Sequence, residues 1–175
     1  SGDLERLIVA LESQWDLKNI EVTFSVLPTL QRNLRKGSWS VTCAIHHNDT
    51  NEAPRIIQLW PGLYEGSIYG MAVDLGSTTI AAHLCDLQNG NVIASSGVMN
   101  PQIRFGEDLM SRVSYSMMNP GGDQEMTRIV REGIDELFTQ ITRDAGIDKN
   151  LVMDTVFVCN PVMHHLFLGI DPFEL

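Results

Sequence analysis

Apolar residues follow two different periods in the first third of the chain, and each period predicts a different kind of element. Those near the start lie three or four positions apart, as they do on one face of a helix: Leu4, Leu7, Ile8, Leu11 and Trp15. Asp3 is a suitable N-cap for this helix. Pro28 suits the first turn of a second helix, and Gly37 suits its end.

Alternation of apolar and polar residues takes over after the second helix and predicts strands. The two longer ones are Ser38–His46 and Arg55–Trp60, joined by a polar turn at 48–51. Residues 1–62 are therefore predicted to form a small α+β domain. A short connector leads from it to a second domain at 67–175.

The second domain opens with three predicted strands that turn back on one another. The first begins at Tyr69 and runs into Asp74, the second covers Thr78–Leu87, and the third covers Asn91–Met99 after an Asn-Gly hairpin signal. Two helices, a buried strand at Thr155–Cys159 and a short third helix follow. This order is that of the beginning of an RNase H-like lobe with a mixed sheet, so we expect α/β architecture here and a lobe that continues beyond the sequence given.

Methionine-rich helices are predicted between the third and fourth of these strands. The first begins near Asp108, and its buried face is predicted from the apolar spacing: Leu109, Met110, Val113 and Met117. The second is predicted to be capped by Asp123 and to bury a long apolar stripe that includes Met126. The methionines, including Met118, are interpreted as core filler.

A turn rich in hydroxyl groups joins the first two strands of the second domain. Gly76 lets backbone N–H groups approach an anion closely because it has no Cβ, and successive N–H groups at a turn form an anion-binding concavity. The hydroxyls of Ser77, Thr78 and Thr79 can donate to phosphate oxygens. Asp74 can hold Mg²⁺ through water. The pattern predicts a phosphate site with Asp74 as its catalytic carboxylate, and an ordinary hairpin turn with a solvated Asp is the alternative.

Two further loops carry polar residues that suit a ligand or a partner. Asn100, Gln102, Arg104 and Gly106 form a loop that is predicted to be too polar and irregular for the core, facing nucleotide, metal or a partner protein. A loop pinned by its own hydrogen bonds is the competing interpretation. Asn160 is predicted either to contact nucleotide or to cap the last helix, which has a proline in its first position.

Composition narrows the classes of function. The chain is 43% hydrophobic, which is enough for a core. It has no run of 18 or more apolar residues and no secretion signal, so we expect a cytoplasmic protein without a membrane partner. The net charge of −10 argues against binding nucleic acid, which needs a basic face. The three cysteines lie far apart, so we expect reduced, buried thiols and no zinc site or iron–sulfur cluster within this chain.

Three stretches of the second domain resemble the reductive activators of corrinoid-dependent proteins, an iron–sulfur-associated family of ASKHA ATPases (the superfamily of acetate and sugar kinases, actin and Hsp70). These stretches are Tyr69–Thr79, Asn100–Arg112 and Asn160–Pro172, and the first also resembles the phosphate motif of the whole superfamily. Residues 4–62 resemble, more weakly, the small domain placed before the ATPase domain in that family. By this resemblance, the chain is a middle domain followed by the first part of an ASKHA domain.

The resemblance implies ATP-dependent reductive activation. An electron from an iron–sulfur cluster, which would lie outside this chain, is driven by ATP hydrolysis onto an inactive Co(II) corrinoid, and the Co(I) form then resumes methyl transfer. ATP and Mg²⁺ are the implied cofactors, a corrinoid protein is the implied partner, and a homodimer is one assembly that the resemblance allows.

Two residues depart from the family pattern, and two other functions stay open. Cys159 stands where the family usually has Gly, and Pro161 stands where it usually has Thr. The alternatives are another small-molecule kinase of the ASKHA superfamily, or a docking module in which residues 1–62 and the loop at Asn100 bind the corrinoid protein.

Overall fold

The structure, a computed structural model, describes residues 2–47, 52–173 and 175, and the turn predicted at 48–51 lies outside them. The chain divides into two compact units, Ser1–Gly66 and Ser67–Leu175. Within the described residues, no helix combines the length and the apolar character needed to cross a membrane.

The first unit packs two helices on a small mixed sheet. Its elements are α1 (Asp3–Trp15), β1 (Glu21–Val22), a 3₁₀ turn (Phe24–Val26), α2 (Leu27–Lys36), β2 (Val41–His46) and β3 (Arg55–Pro61). The strand order is β1-β3-β2, with β1 parallel and β2 antiparallel to β3, so β2 is an edge strand. Leu7, Leu11, Leu30 and Leu34 of the helices pack with Ile56 and Leu59 of β3 in one core.

Two predicted boundaries in this unit are wrong. Asp3 lies within α1, and Gly2 is the N-cap, with its backbone N–H donating to the side chain of Glu5 at 3.2 Å. β2 begins at Val41 rather than at Ser38, because Ser38 and Trp39 both have positive φ and complete the turn that follows α2.

The second unit is a mixed sheet with helices against one face. Its elements are β4 (Tyr69–Leu75), β5 (Thr79–Asp86), β6 (Val92–Met99), a 3₁₀ turn (Pro101–Phe105), α3 (Leu109–Met118), α4 (Gly122–Asp144), a 3₁₀ turn (Lys149–Leu151), β7 (Val152–Cys159) and α5 (Pro161–Leu168). The sheet order is β6-β5-β4-β7, and β7 is parallel to β4. This confirms the predicted order β, β, β, α, α, β, α and its mixed sheet.

The two faces of this sheet differ in burial. Met71, Val73 and Leu75 of β4 face the core and pack with the apolar stripe of α4, which includes Leu137 and Ile141. The intervening residues face the other side, where Ala72 and Asp74 of β4 and Val156 and Val158 of β7 are exposed. Alternation along β4 therefore places the Asp74 carboxylate on the open face.

The inward face of α3 is only partly the predicted one, since Leu109 packs against the core and Val113 is half-buried. Met110 and Met117 are 72% and 58% exposed, whereas Arg112 is completely buried. Of the methionines interpreted as core filler, Met118 is also exposed and only Met126 is buried. The prediction fails for Met110 and Met117 because apolar spacing does not detect a buried position that is occupied by an arginine and held by its hydrogen bonds.

The N-cap of α4 also differs from the prediction. Gly121, with a φ of +81°, is the N-cap in place of Asp123.

Candidate functional site

The turn between β4 and β5 is closed by its own backbone. The N–H of Gly76 donates to the carbonyl of Thr79 at 3.1 Å, directly after the pair formed by Leu75 and Ile80. A Cβ built at Gly76 would lie 2.5 Å from that carbonyl oxygen, which is far inside van der Waals contact. Glycine is therefore required here by the close approach of Thr79, and the predicted close approach of an anion to Gly76 stays a prediction.

The polar groups of this turn are open to a ligand. Asp74, Thr78 and Thr79 are exposed, and Ser77 is half-buried. Within the described residues, the hydroxyls of Ser77, Thr78 and Thr79 and the carboxylate of Asp74 make no hydrogen bond. The side chains that the sequence assigned to phosphate and Mg²⁺ are thus not used to hold the fold together.

Asn160 lies at the same edge of the sheet as this turn. β4 and β7 are parallel and in register, with Asp74 beside Val158 and Leu75 beside Cys159, so both strands end side by side. Ligands of α/β proteins commonly bind at the carboxyl ends of parallel strands. Asn160 also caps α5, since its side-chain oxygen accepts from the backbone N–H of Met163 at 2.9 Å. The cap prediction is confirmed, and the nucleotide contact stays a prediction.

A shallow cleft follows the end of β7. It has a volume of about 500 Å³ and is lined by Phe157–Pro161, His164 and His165. Cys159, one of the two departures from the family pattern, is half-buried there, and burial raises the pKa of its thiol. Pro161 is exposed at the first position of α5, where it contributes no N–H donor to the cleft.

The loop that begins at Asn100 supports the turn from behind. The backbone N–H of Asn100 donates to the carbonyl of Thr78 at 2.8 Å, and its side-chain amide donates to the carbonyl of Gly76 at 2.9 Å. The side-chain oxygen of Asn100 accepts from the N–H of Gln102 at 2.9 Å, and Gln102 donates to the carbonyl of Met126 at 3.0 Å. The first part of this loop is therefore tied to both the turn and α4.

Burial divides the four residues predicted in this loop. Asn100 and Gln102 are 1% and 0% exposed, so the prediction that the loop is too polar for the core is wrong for them. Gly106 lies close to α3, where an added Cβ would lie 2.7 Å from the Cβ of Ser111. Arg104 is exposed, lies over the ring of Phe105 and approaches Glu125 to 3.9 Å. Of the four, only the Arg104 side chain is displayed to solvent, and a partner or nucleotide contact by this loop remains a prediction.

Arg112 is a site residue that sequence reasoning did not single out. It is 0% exposed, and its guanidinium donates to the carbonyl of Ser77 at 2.5 Å and to the carbonyl of Gly106 at 2.9 Å. It also lies 3.4 Å from the sulfur of Met163. Burial lowers the pKa of Arg112, and the nearby charge of Asp108 opposes that shift. Residue type gave no signal, because an arginine in a surface helix is usually solvated. The available signal was the place of Arg112 in a stretch that resembles the corrinoid activators.

The residues fit Mg²⁺ but not an iron–sulfur cluster. Mg²⁺ keeps several waters and needs one or two carboxylates beside phosphate oxygens, and the exposed carboxylate of Asp74 at the predicted phosphate turn fits that requirement. A cluster needs several cysteines together. Cys43, Cys85 and Cys159 are free, and no group of three or more His, Cys, Asp or Glu in the described residues could hold a metal ion.

Comparison with known proteins covers both units of the chain. The family model described as the RACo linker region matches residues 1–66, and the one described as the RACo middle region matches residues 69–175. The corrinoid activation enzyme RamQ of Eubacterium limosum is 34% identical over 111 residues, which are 63% of this chain and 19% of that protein.

A solved structure matches nearly the whole chain. It is a reductive activator for corrinoid, iron-sulfur protein, with 33% sequence identity and a TM-score of 0.81 over 99% of this chain and 27% of the other. The chain thus spans about a quarter or less of the length of these two relatives.

Proposed function

The chain belongs to the family defined by the RACo linker and middle regions, and from this membership we propose that it serves the ATP-dependent reductive activation of a corrinoid protein, from Co(II) to Co(I), for methyl transfer. The names of the two relatives support this reaction class, since one is a corrinoid activation enzyme and the other a reductive activator. In this proposal the second unit is the first part of an ASKHA ATPase domain.

In the proposed reaction, the turn between β4 and β5 binds the phosphates of ATP. The hydroxyls of Ser77, Thr78 and Thr79 donate to phosphate oxygens, and the glycine at 76 allows the backbone to approach them. Asp74 holds Mg²⁺ through water from the open face of the sheet. When bound, Mg²⁺ offsets the negative charge of the phosphates during phosphoryl transfer.

The electron donor would belong to another part of the whole protein. The three cysteines of this chain do not form a cluster site, so the iron–sulfur cluster of the proposed reaction would be held elsewhere. This chain's contribution is then to couple ATP hydrolysis to the uphill reduction, because Co(II) reduction in this proposal requires that energy input.

One observation carries the nucleotide part of the proposal. Asp74 and the hydroxyls of the turn are polar, free of hydrogen bonds within the described residues, and located where β4 and β7 end side by side. A turn with only a structural role would be expected to use such groups for capping or cross-strand bonds.

The test measures corrinoid reduction in the whole protein by the absorbance change between Co(II) and Co(I). We expect Co(I) to accumulate only with Mg²⁺-ATP. In Asp74→Ala we expect no accumulation of Co(I), even when Mg²⁺-ATP is present. Equal Co(I) formation without nucleotide would contradict the proposed role of ATP. ATP hydrolysis that goes on without any effect on cobalt would instead favour a kinase or ATPase with another substrate.

A groove in the first unit favours docking as a second function. It has a volume of about 990 Å³, and α1 and β2 supply most of its lining. Trp15, Trp39 and Leu63 line it and are 71%, 51% and 81% exposed. Exposed aromatic residues beside an edge strand are typical of a peptide-binding surface. We propose the corrinoid protein as the partner that this groove would contact.

Docking and catalysis can be separated by pull-down with the corrinoid protein. If the groove binds it, Trp15→Ser should reduce capture, while Asp74→Ala and the omission of ATP should not. Phe24→Ser is the matched control, because Phe24 is 83% exposed in the same unit but does not line the groove. Capture that requires ATP and ignores Trp15→Ser would reject the docking proposal.

A further inference from the structure

A fully buried arginine lies directly behind the turn, and no acid in the described part of the chain forms an ion pair with it. Arg112 is 0% exposed, and within the described residues its guanidinium contacts the carbonyls of Ser77 and Gly106 and the sulfur of Met163. Asp108 is the charge that acts on it, but Asp108 is exposed and caps α3 by accepting from the N–H of Ser111 at 2.7 Å. The positive charge of Arg112 is therefore not neutralised by direct contact.

Carbonyl oxygens satisfy the hydrogen bonds of a guanidinium but do not cancel its charge. Removing an ion from water is energetically unfavourable, and an opposite charge nearby is the usual compensation. A positive charge that is left in a low-dielectric interior therefore favours any anion that binds close to it. Of the groups that Arg112 contacts, the carbonyl of Ser77 is the one that belongs to the turn.

The contacts behind the turn fix the direction of its peptide groups. The carbonyls of Gly76, Ser77 and Thr78 are held in turn by the side chain of Asn100, by Arg112 and by the backbone N–H of Asn100. The C=O and N–H of a trans peptide point in opposite directions. Three consecutive carbonyls that are held from behind therefore direct the following N–H groups away from the core.

The N–H groups of Ser77 and Thr78 are available to an anion. Neither donates a hydrogen bond to any group among the described residues. Two consecutive free N–H groups at a turn are the donor arrangement of an anion-binding nest. Arg112 acts at the middle of the three peptide groups, where its carbonyl contact is the shortest of the three.

We propose that Arg112 is the positioning residue of the phosphate turn, holding the Ser77 peptide in its anion-binding orientation and contributing a buried positive charge that is balanced when a polyphosphate binds. This proposal rests on the proposed function, since it requires that the turn bind the phosphates of a nucleotide. Arg112 does not touch the phosphates. It acts on them through the peptide of Ser77 and through its field.

Two substitutions separate the charge of Arg112 from its hydrogen bonds. Arg112→Lys keeps the positive charge and one donor group, whereas Arg112→Gln keeps a donor but removes the charge. Arg131→Gln is the matched control, because Arg131 also donates to a backbone carbonyl, that of Phe167 at 2.8 Å, but is exposed on α4.

The experiment is calorimetric titration of the whole protein and these variants with Mg²⁺-ATP and, separately, with adenosine. We expect Arg112→Gln to weaken Mg²⁺-ATP binding about tenfold or more, as for loss of a charged hydrogen-bonding group. We expect Arg112→Lys to retain most of the affinity, within about fivefold of the original. Adenosine binding should be unchanged in both variants, and Arg131→Gln should bind both ligands as the unsubstituted protein does.

Two binding results would overturn the role proposed for Arg112, and a third would reject the proposed function itself. Equal losses of Mg²⁺-ATP and adenosine affinity would show a merely structural role and overturn the proposal, as would full Mg²⁺-ATP affinity in Arg112→Gln. If Arg112→Gln does not fold, Arg112→Met, which also removes the charge but keeps a long side chain in the buried site, takes its place in the same comparison of the two ligands. Failure of the unsubstituted protein to bind Mg²⁺-ATP would reject the proposed function, and the role of Arg112 with it.

Discussion

The side-chain amide of Asn100 donates a 2.9 Å hydrogen bond to the carbonyl oxygen of Gly76. This contact joins the end of β6 to the turn after β4, and it is buried, since Asn100 is 1% exposed. Because the backbone N–H of the same residue holds the carbonyl of Thr78, one asparagine fixes both sides of the Ser77 peptide. Two sequence motifs that resemble the corrinoid activators are thereby parts of a single structure.

Replacing Asn100 by alanine should therefore destabilise the second unit. The change leaves the carbonyl of Gly76 and the N–H of Gln102 without their side-chain partner in a buried site, which costs about 2–4 kcal/mol in the free energy of unfolding. Urea denaturation monitored by circular dichroism measures this loss. Asn119→Ala is the control, because Asn119 also donates to a backbone carbonyl at 2.9 Å but is exposed. Similar losses in the two variants would show that burial of the Asn100 contact has no energetic weight.

Much of the fold could be predicted because alternation, helix spacing and hairpin signals are local. The turn at Gly76 and the cap at Asn160 belong to this class, since each depends on residues within a few positions. The role of Asn100 could not be decided from the sequence, because its side chain donates to the backbone carbonyl of Gly76, which lies 24 residues earlier and carries no sequence signal. Arg112 was overlooked for the same reason, since it contacts a carbonyl 35 residues away.

Gly76→Ala should distort the turn because the added methyl group would collide with a neighbouring carbonyl oxygen, and not because alanine cannot adopt the backbone dihedral angles of Gly76. Its Cβ would lie 2.5 Å from the carbonyl oxygen of Thr79, so the turn must widen and the neighbouring N–H groups must move. We expect Gly76→Ala to weaken Mg²⁺-ATP binding about tenfold or more, as measured by calorimetry.

Gly90→Ala provides the contrast for this substitution. Gly90 has a φ of +76° and no atom within 4 Å of an added Cβ, so alanine there meets only conformational strain. We expect a cost of about 1–2 kcal/mol in the free energy of unfolding and no change in nucleotide affinity. Normal Mg²⁺-ATP binding by Gly76→Ala would show that the close approach of Thr79 is dispensable.

Asparagine at position 74 should remove ATP hydrolysis without affecting stability. The carboxylate of Asp74 is exposed and makes no hydrogen bond within the described residues, so its loss should change the free energy of unfolding by less than about 0.5 kcal/mol. Release of phosphate from ATP by the whole protein is the activity to measure. Asp154→Asn is the control, because Asp154 is exposed on the same face beside Gly70, at the opposite end of β4. Hydrolysis at the original rate in Asp74→Asn would remove Asp74 from the proposed Mg²⁺ site.

Asp108 should make the stability of the second unit depend on pH in the acid range. Its pKa is lowered, chiefly because its carboxylate accepts from the backbone N–H of Ser111 and also from the Ser111 hydroxyl. A lowered pKa in the folded state means that the ionised carboxylate stabilises the fold at pH values above the unfolded pKa, about 3.9. That stabilisation is lost as the pH falls through the lower, folded pKa.

Asn and Ser at position 108 are the substitutions that test this, because both keep a helix cap but cannot ionise. Urea denaturation between about pH 6 and pH 2.5 should show a smaller loss of stability in Asp108→Asn and Asp108→Ser than in the unsubstituted protein, with the difference appearing only below about pH 4. Agreement between the two variants separates the loss of charge from the quality of either cap. Parallel stability curves for all three proteins would mean that the carboxylate titrates alike in the folded and unfolded states, and that the hydrogen bonds from Ser111 do not favour its ionised form.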